Sequence, residues 1–218
     1  MNEFKKRIFT SIFLLIILIL AFFNKYILAI LLALLSITAW IEFSSLISKI
    51  VKKSKFLIIF VNSLCLIYLV CFSFMVFEGI VAENKMYVLL LFLICIFSDI
   101  GGFTFGKFFK GKKLTKISPN KTLSGSIGSF ILSLLLVPFF YYISETHEVL
   151  SKKLEFYIIF VIIISLSCQL GDIFISYLKR KAKVKDTGSL LPGHGGLLDR
   201  IDGMLLAIPV GLIINIFL

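Results

Sequence analysis

Seven apolar runs of membrane-spanning length, joined by polar connections, leave this chain few ways to fold. They lie at 8–23, 26–48, 56–77, 86–106, 125–143, 155–177 and 203–218, and a bilayer core takes about 20 apolar residues per helix. A soluble domain needs polar surface to cover its core, and ordinary domains carry about a quarter charged residues. Here 16% are charged, 59% are hydrophobic, and the mean hydropathy is +1.05. Lipid offers no hydrogen-bond partner, so backbone that crosses it must satisfy itself within helices or closed barrels. The expected fold is an all-α integral membrane protein, a polytopic bundle of about seven transmembrane helices in a single domain over 1–218. The first run follows Lys5, Lys6 and Arg7, as in a signal peptide. No small-residue cleavage site follows it, and the next run begins almost at once, so it reads as a retained helix that forms a hairpin around Asn24-Lys25.

Lysine and arginine set the expected orientation. With the N-terminus in the cytoplasm, 19 of the 23 basic residues fall in cytoplasmic segments, and only Lys25, Lys85, Lys152 and Lys153 lie outside. The net charge of +11 is then accounted for by this bias and by attraction to anionic headgroups, with no nucleic-acid partner. Cys65, Cys71, Cys95 and Cys168 all sit inside apolar runs without metal-binding spacing, as small core or lipid-facing residues do.

The aspartates are distributed less evenly. All five (Asp99, Asp172, Asp186, Asp199 and Asp202) lie in or beside the two long basic loops, while the seven glutamates lie elsewhere. Asp99 falls about 20 Å along its helix and Asp172 about 25 Å along its own, both past the midplane. Asp199 and Asp202, spaced i, i+3, share a face at the start of the last helix. Intramembrane carboxylates point to a site. Carboxylates without imidazole or thiol partners suit a hard cation such as Mg²⁺. Along the sixth helix Asp172, Ser176, Lys179 and Arg180 fall near one face, which sets a metal edge beside a phosphate edge. Phosphoryl or nucleotidyl transfer needs that pairing. The bland alternative is that each carboxylate pairs with a nearby lysine.

Two further stretches belong with these residues. In "ISPNKTLSGS" (Ile117 to Ser126), Ser118, Asn120, Lys121, Thr122 and Ser124 lead into the fifth helix, as an anion-binding helix start or as an ordinary cap. In "SDIGGFTFGK" (Ser98 to Lys107), Asp99 precedes Gly101-Gly102, where either the helix breaks or two helices pack closely. His194 stands between glycines as an acid/base group, a phosphate donor or a turn cap. His147, among glutamates in an outer loop, reads as surface.

Finally, "SYLKRKAKVKDTGSLLPGHGGLLDRIDG" (Ser176 to Gly203) resembles the signature of the phosphatidate cytidylyltransferase family. Its pattern is Ser-x-x-Lys-Arg, four residues, Lys-Asp-x-Gly, then Pro-Gly-His-Gly-Gly-x-x-Asp-Arg-x-Asp. "FGK" (Phe105 to Lys107) and "ISPNKT" (Ile117 to Thr122) are similar to a second block, and "WIEFSSL" (Trp40 to Leu46) to a weaker one. The resemblance implies a membrane enzyme that makes CDP-diacylglycerol and pyrophosphate from CTP and phosphatidate, using Mg²⁺ and often a monovalent cation such as K⁺. Asp172 and Asp199 would be the main metal ligands, with Asp202, Asp186 and Asp99 near them. Lys179, Arg180, Lys185 and Arg200 would hold phosphates, while Ser118, Asn120 and Lys121 would bind substrate. Ser176, His194, Gly195 and Gly196 join the substrate-binding set from the same signature.

The resemblance further implies a homodimer in a bacterial inner membrane, its site open to the cytoplasm and to inner-leaflet lipid. Residues 86–218 would form the catalytic part and 1–85 the N-terminal helices. Two positions depart from the family pattern. Leu123-Ser124 stands where Trp-Glu is usual, and Ile175 replaces an acid after Asp172. The chain is also shorter than many relatives by a helix pair in its N-terminal half. Competing readings are a CTP-dependent enzyme on an isoprenoid or ether-lipid acceptor, and a cation-binding transporter. Against the transporter, no repeat is visible and the charges crowd one membrane edge.

Overall fold

The computed structural model describes residues 16, 19–52, 54–82, 85–115, 118, 121–147, 153–190 and 195–216, with backbone alone at 143–147 and 216. Residues 19–23 are helical. Seven further helices follow: α1 (Lys25–Ile50), α2 (Lys55–Val81), α3 (Lys85–Phe109), α4 (Leu123–Leu134), α5 (Val137–His147), α6 (Leu154–Lys181) and α7 (Leu198–Ile216). Among the described residues no strand forms. Among the described residues, five helical stretches are long and apolar enough to cross a membrane: α1, α2, α3, α6 and Leu123–Tyr142. The protein is an all-α polytopic membrane protein. Most of the expected first segment lies outside the described residues. α7 carries Asp199, Arg200 and Asp202 in its first turns before its apolar stretch begins.

The expected fifth segment, 125–143, is two helices rather than one. Pro138 has no N–H to give the carbonyl of Leu134, where α4 stops, and it takes the tolerated place in the first turn of α5. Asn24 caps α1, its Oδ1 accepting from the N–H groups of Tyr26 (2.9 Å) and Ile27 (3.3 Å). Ser54 caps α2 through the N–H of Leu57 at 3.2 Å.

The chain divides into two compact units, one from Met1–Lys85 with Tyr177–Ile201, the other from Met86–Ser176 with Asp202–Leu218. In the first unit, α1 and α2 pair as an antiparallel hairpin. α2 buries only the stripe Leu69, Phe72, Val76 and Ile80. Its other faces are equally apolar, and Phe56 remains 80% exposed. A helix apolar all round suits lipid and not water. Polar contacts hold the pair where lipid gives no hydrophobic drive for association. The Ser36 and Ser73 hydroxyls meet at 2.6 Å, and the Trp40 indole donates to the Asn62 carbonyl at 3.1 Å.

In the second unit, α3 crosses α4 through small residues. A Cβ on Gly101 would lie 2.3 Å from the carbonyl oxygen of Gly128, and one on Gly125 would lie 2.7 Å from that of Gly102. The helix does not break at Gly101-Gly102; it runs on to Phe109, and the pair serves close packing. Ser129 donates to the carbonyl of Ser98 at 2.7 Å at this crossing, and Ser98 meets Ser165 of α6 at 3.0 Å. α6 and α7 cross as tightly. A Cβ on Gly171 would meet the carbonyl oxygen of Asp202 at 2.5 Å, and one on Gly203 would meet Cys168 Sγ at 2.5 Å.

Candidate active site

The second unit gathers its polar side chains where these crossings bring α3, α6 and α7 together. The Gly171 contact sets the backbone of Asp202 one residue from Asp172. Lys121 forms an ion pair with Asp172, whose Oδ1 also accepts from the Ser176 hydroxyl at 3.3 Å, one turn along α6. The Asp172 and Lys121 side chains are 31% and 24% exposed, so the pair is only partly screened by solvent. Asp99 lies within electrostatic reach of both Asp172 and Lys121, and its Oδ1 accepts from the Cys168 thiol at 3.8 Å. Cys168 in turn feels both Asp99 and Asp202.

A small clasp presents Lys121. Leu114 N–H donates to the carbonyl of Lys121 (2.8 Å), and Leu123 N–H donates to that of Lys112 (2.9 Å). Gly111, at φ +108°, turns the chain back after α3. The Lys121 N–H donates to the carbonyl of Ser118 at 3.1 Å. Thr122 Oγ1 caps α4 through the N–H of Gly125, so this helix start is capped in the ordinary way. Ser124, which stands where the family has an acid, donates to the carbonyl of Lys110 and meets Thr122 Oγ1 at 3.0 Å. Ile175, the other departure, is buried at 4% exposure. Ser126 of α4 donates to Gln169 Oε1 of α6 at 2.5 Å, while Gln169 Nε2 is buried without a partner among the described residues.

In the first unit, Thr187, Gly196, Leu197 and Leu198 of the signature gather around two carboxylates. Lys179 Nζ reaches Asp199 Oδ1 at 2.6 Å, with these side chains 16% and 10% exposed. Asp199 Oδ2 accepts from the Thr187 N–H (2.8 Å), Thr187 Oγ1 (3.0 Å) and the Gly196 N–H (3.3 Å). Burial of this carboxyl opposes ionisation, but Lys179 and the Thr187 donors outweigh it and hold Asp199 below the usual carboxylate range. The second carboxylate is Glu42 of α1, buried at 8% exposure. It accepts from the Thr187 hydroxyl (2.7 Å) and from the N–H groups of Leu197 and Leu198 (both 2.9 Å), at the start of α7.

Most of the expected site residues have a place among the described residues. Asp99, Lys121, Asp172, Ser176 and Asp202 belong to the second unit; Lys179 and Asp199 are paired in the first. Arg180, Lys185, Asp186 and Arg200 are exposed at the signature segment. Gly195 takes φ +84° next to Asp186 and Asp199, and Gly196 packs against Thr187 and Glu42. Asn120 and His194 lie outside the described residues, and so do Pro192 and Gly193. Glu42 and Thr187 were not among the expected site residues; the available signal was a lone acid in the apolar run "WIEFSSL".

Among the described residues, no three carboxylate, imidazole or thiol groups are gathered as a ready-made metal cage. The donor chemistry around Asp172 nevertheless suits a hard cation, since Asp172 and Asp99 offer carboxylate oxygens within electrostatic reach of each other. Asp199 differs. Its oxygens are already taken by four donors, and a cation would have to displace Lys179 to reach it.

Comparison with known proteins gives this chemistry a family. A model of the cytidylyltransferase family matches residues 52–217. The chain belongs to that family. The phosphatidate cytidylyltransferase of Rickettsia prowazekii is 39% identical over 153 residues, which is 67% of this chain and 65% of that protein. That of Rickettsia typhi is 40% identical over 151 residues, with the same shares. The phosphatidate cytidylyltransferase of Staphylococcus epidermidis is 37% identical over 139 residues, 63% of this chain and 52% of the relative. The alignments thus span between half and two thirds of the relatives' own length.

Proposed function

We propose that this cytidylyltransferase-family protein transfers the cytidylyl group of CTP to phosphatidate, giving CDP-diacylglycerol and pyrophosphate. The Lys121–Asp172 pair carries this reading. It joins the ammonium of the ISPNKT block to a carboxylate one turn before the signature, at one place in a membrane protein, the charge pattern that a nucleoside triphosphate and a cation require. In the reaction, a phosphate oxygen of phosphatidate attacks the α-phosphorus of CTP. The bond from that phosphorus to the bridging oxygen of the β-phosphate breaks, and pyrophosphate leaves. No protein nucleophile is needed, because the lipid phosphate is already anionic. Mg²⁺, held by Asp172 with Asp99, would neutralise the triphosphate charge. Lys121 would move from Asp172 to phosphate oxygens, with Ser176 keeping the carboxylate oriented. Lys179, Arg180, Lys185 and Arg200 would supply the cationic surface for phosphates, with Lys179 fixed by Asp199.

The test is release of pyrophosphate by membranes containing the protein, given labelled CTP with and without phosphatidate. Lipid-dependent release is expected, and Asp172→Ala should reduce it at least 100-fold while the protein still inserts. Release with an isoprenoid phosphate in place of phosphatidate would change the acceptor, and wild-type turnover in Asp172→Ala would sink the site.

A further inference from the structure

We propose that Glu42 is a positioning residue for this transfer. It holds Thr187, Leu197 and Leu198 in place and, through Thr187, sets the place of Asp199 and Lys179. The proposal rests on the function proposed above, and it concerns a residue that precedes the family match at 52–217.

Glu42 projects from α1, an apolar helix, and an acid so buried needs compensating donors. The three described here are uncharged: two N–H groups at the start of α7 and one hydroxyl. Capping α7 accounts for the N–H groups, since a carboxylate at a helix N-terminus satisfies orphan donors and complements the dipole. It does not account for the third contact. Thr187 Oγ1 stands 2.7 Å from Glu42 Oε2 and 3.0 Å from Asp199 Oδ2. A hydroxyl has one proton, so it can serve only one carboxylate at a time, and a shift of Glu42 is felt at Asp199.

The glycines of the signature support the same role. A Cβ on Gly188 would meet Glu42 Oε1 at 2.6 Å. One on Gly196 would meet Thr187 Oγ1 at 2.0 Å and Glu42 Oε2 at 2.5 Å. Their lack of a side chain lets the segment close on Glu42. The chain is thus wrapped around one buried carboxylate, with Lys179–Asp199 hydrogen-bonded to the wrapped part.

Position 187 separates this role from plain packing. Valine keeps threonine's volume without the hydroxyl, whereas serine keeps the hydroxyl and loses a methyl. Thr187→Val and Glu42→Gln should each raise KM for CTP, or lower kcat, about tenfold in detergent-purified protein, and the double variant should be little worse than either. Thr187→Ser should stay within about threefold of wild type. Limited trypsin digestion at Lys183 and Lys185 should speed up about tenfold in Glu42→Gln and Thr187→Val. Activity kept by Val and lost by Ser would assign a packing role and overturn the proposal; so would unchanged digestion and kinetics in Glu42→Gln. If Glu42→Gln does not fold, the Val/Ser contrast decides. A wild-type chain without lipid-dependent turnover would overturn the function, and the digestion rates would still decide the positioning.

Discussion

Asp199 shows how one carboxylate can organise a segment of chain. Its four donors come from α6 and from the signature segment, and their sum holds its acidity above that of an ordinary aspartate despite burial. The sign of the pH effect follows. A carboxyl whose folded pKa lies below its unfolded value, about 3.9, stabilises the fold above that value, and the contribution is lost as pH falls through the folded one. The wild-type protein should therefore lose more stability than Asp199→Asn between about pH 5 and pH 3. Denaturant titration at a series of pH values measures this, and parallel profiles would refute it. Among the candidate residues, Asp172 was legible in the sequence because charge is rare in apolar runs, and Lys179 because it belongs to the quoted signature. The partners were not, because Lys121–Asp172 and Glu42–Thr187 join residues far apart in sequence, and only folding decides which acid meets which donor.

At the scale of elements, hydrophobic run length sufficed to find the helices, since a bilayer imposes length directly. It did not reveal the division of 125–143 at Pro138, because the apolar run continues across the proline and only the missing N–H divides it. Nor did it choose between break and packing at Gly101-Gly102, a choice that depends on what the other helix presents. There the facing groups are backbone, which cannot swing aside as a long side chain can. Gly101→Ala should destabilise the protein by about 1–3 kcal/mol, as overpacked sites do. Gly106→Ala should cost less, because its Cβ would meet the Thr122 hydroxyl at 3.1 Å. Thermal unfolding in detergent micelles compares the two, and equal midpoints would refute the close crossing.

For the molecule as a whole, the basic residues predict that the segments around Lys112 and Lys183 face the cytoplasm while Lys85 faces outward. Single cysteines at these positions, in a chain whose native cysteines are replaced, should divide accordingly with an impermeant maleimide applied to sealed cells. Lys85 should label, and the other two should react only after permeabilisation; the opposite pattern would invert the topology. The ion pair between Lys121 and Asp172 has a consequence at this scale. A lone carboxylate in so apolar a molecule would draw stray cations toward the membrane interior, and desolvating it alone would cost several kcal/mol. With its own lysine in place, the charge of Asp172 is balanced in the resting protein. Under the proposed chemistry, each cycle would open by parting that pair and close by re-forming it. Asp172 would then compete with departing pyrophosphate for the same lysine, so re-forming the resting pair would help release the product.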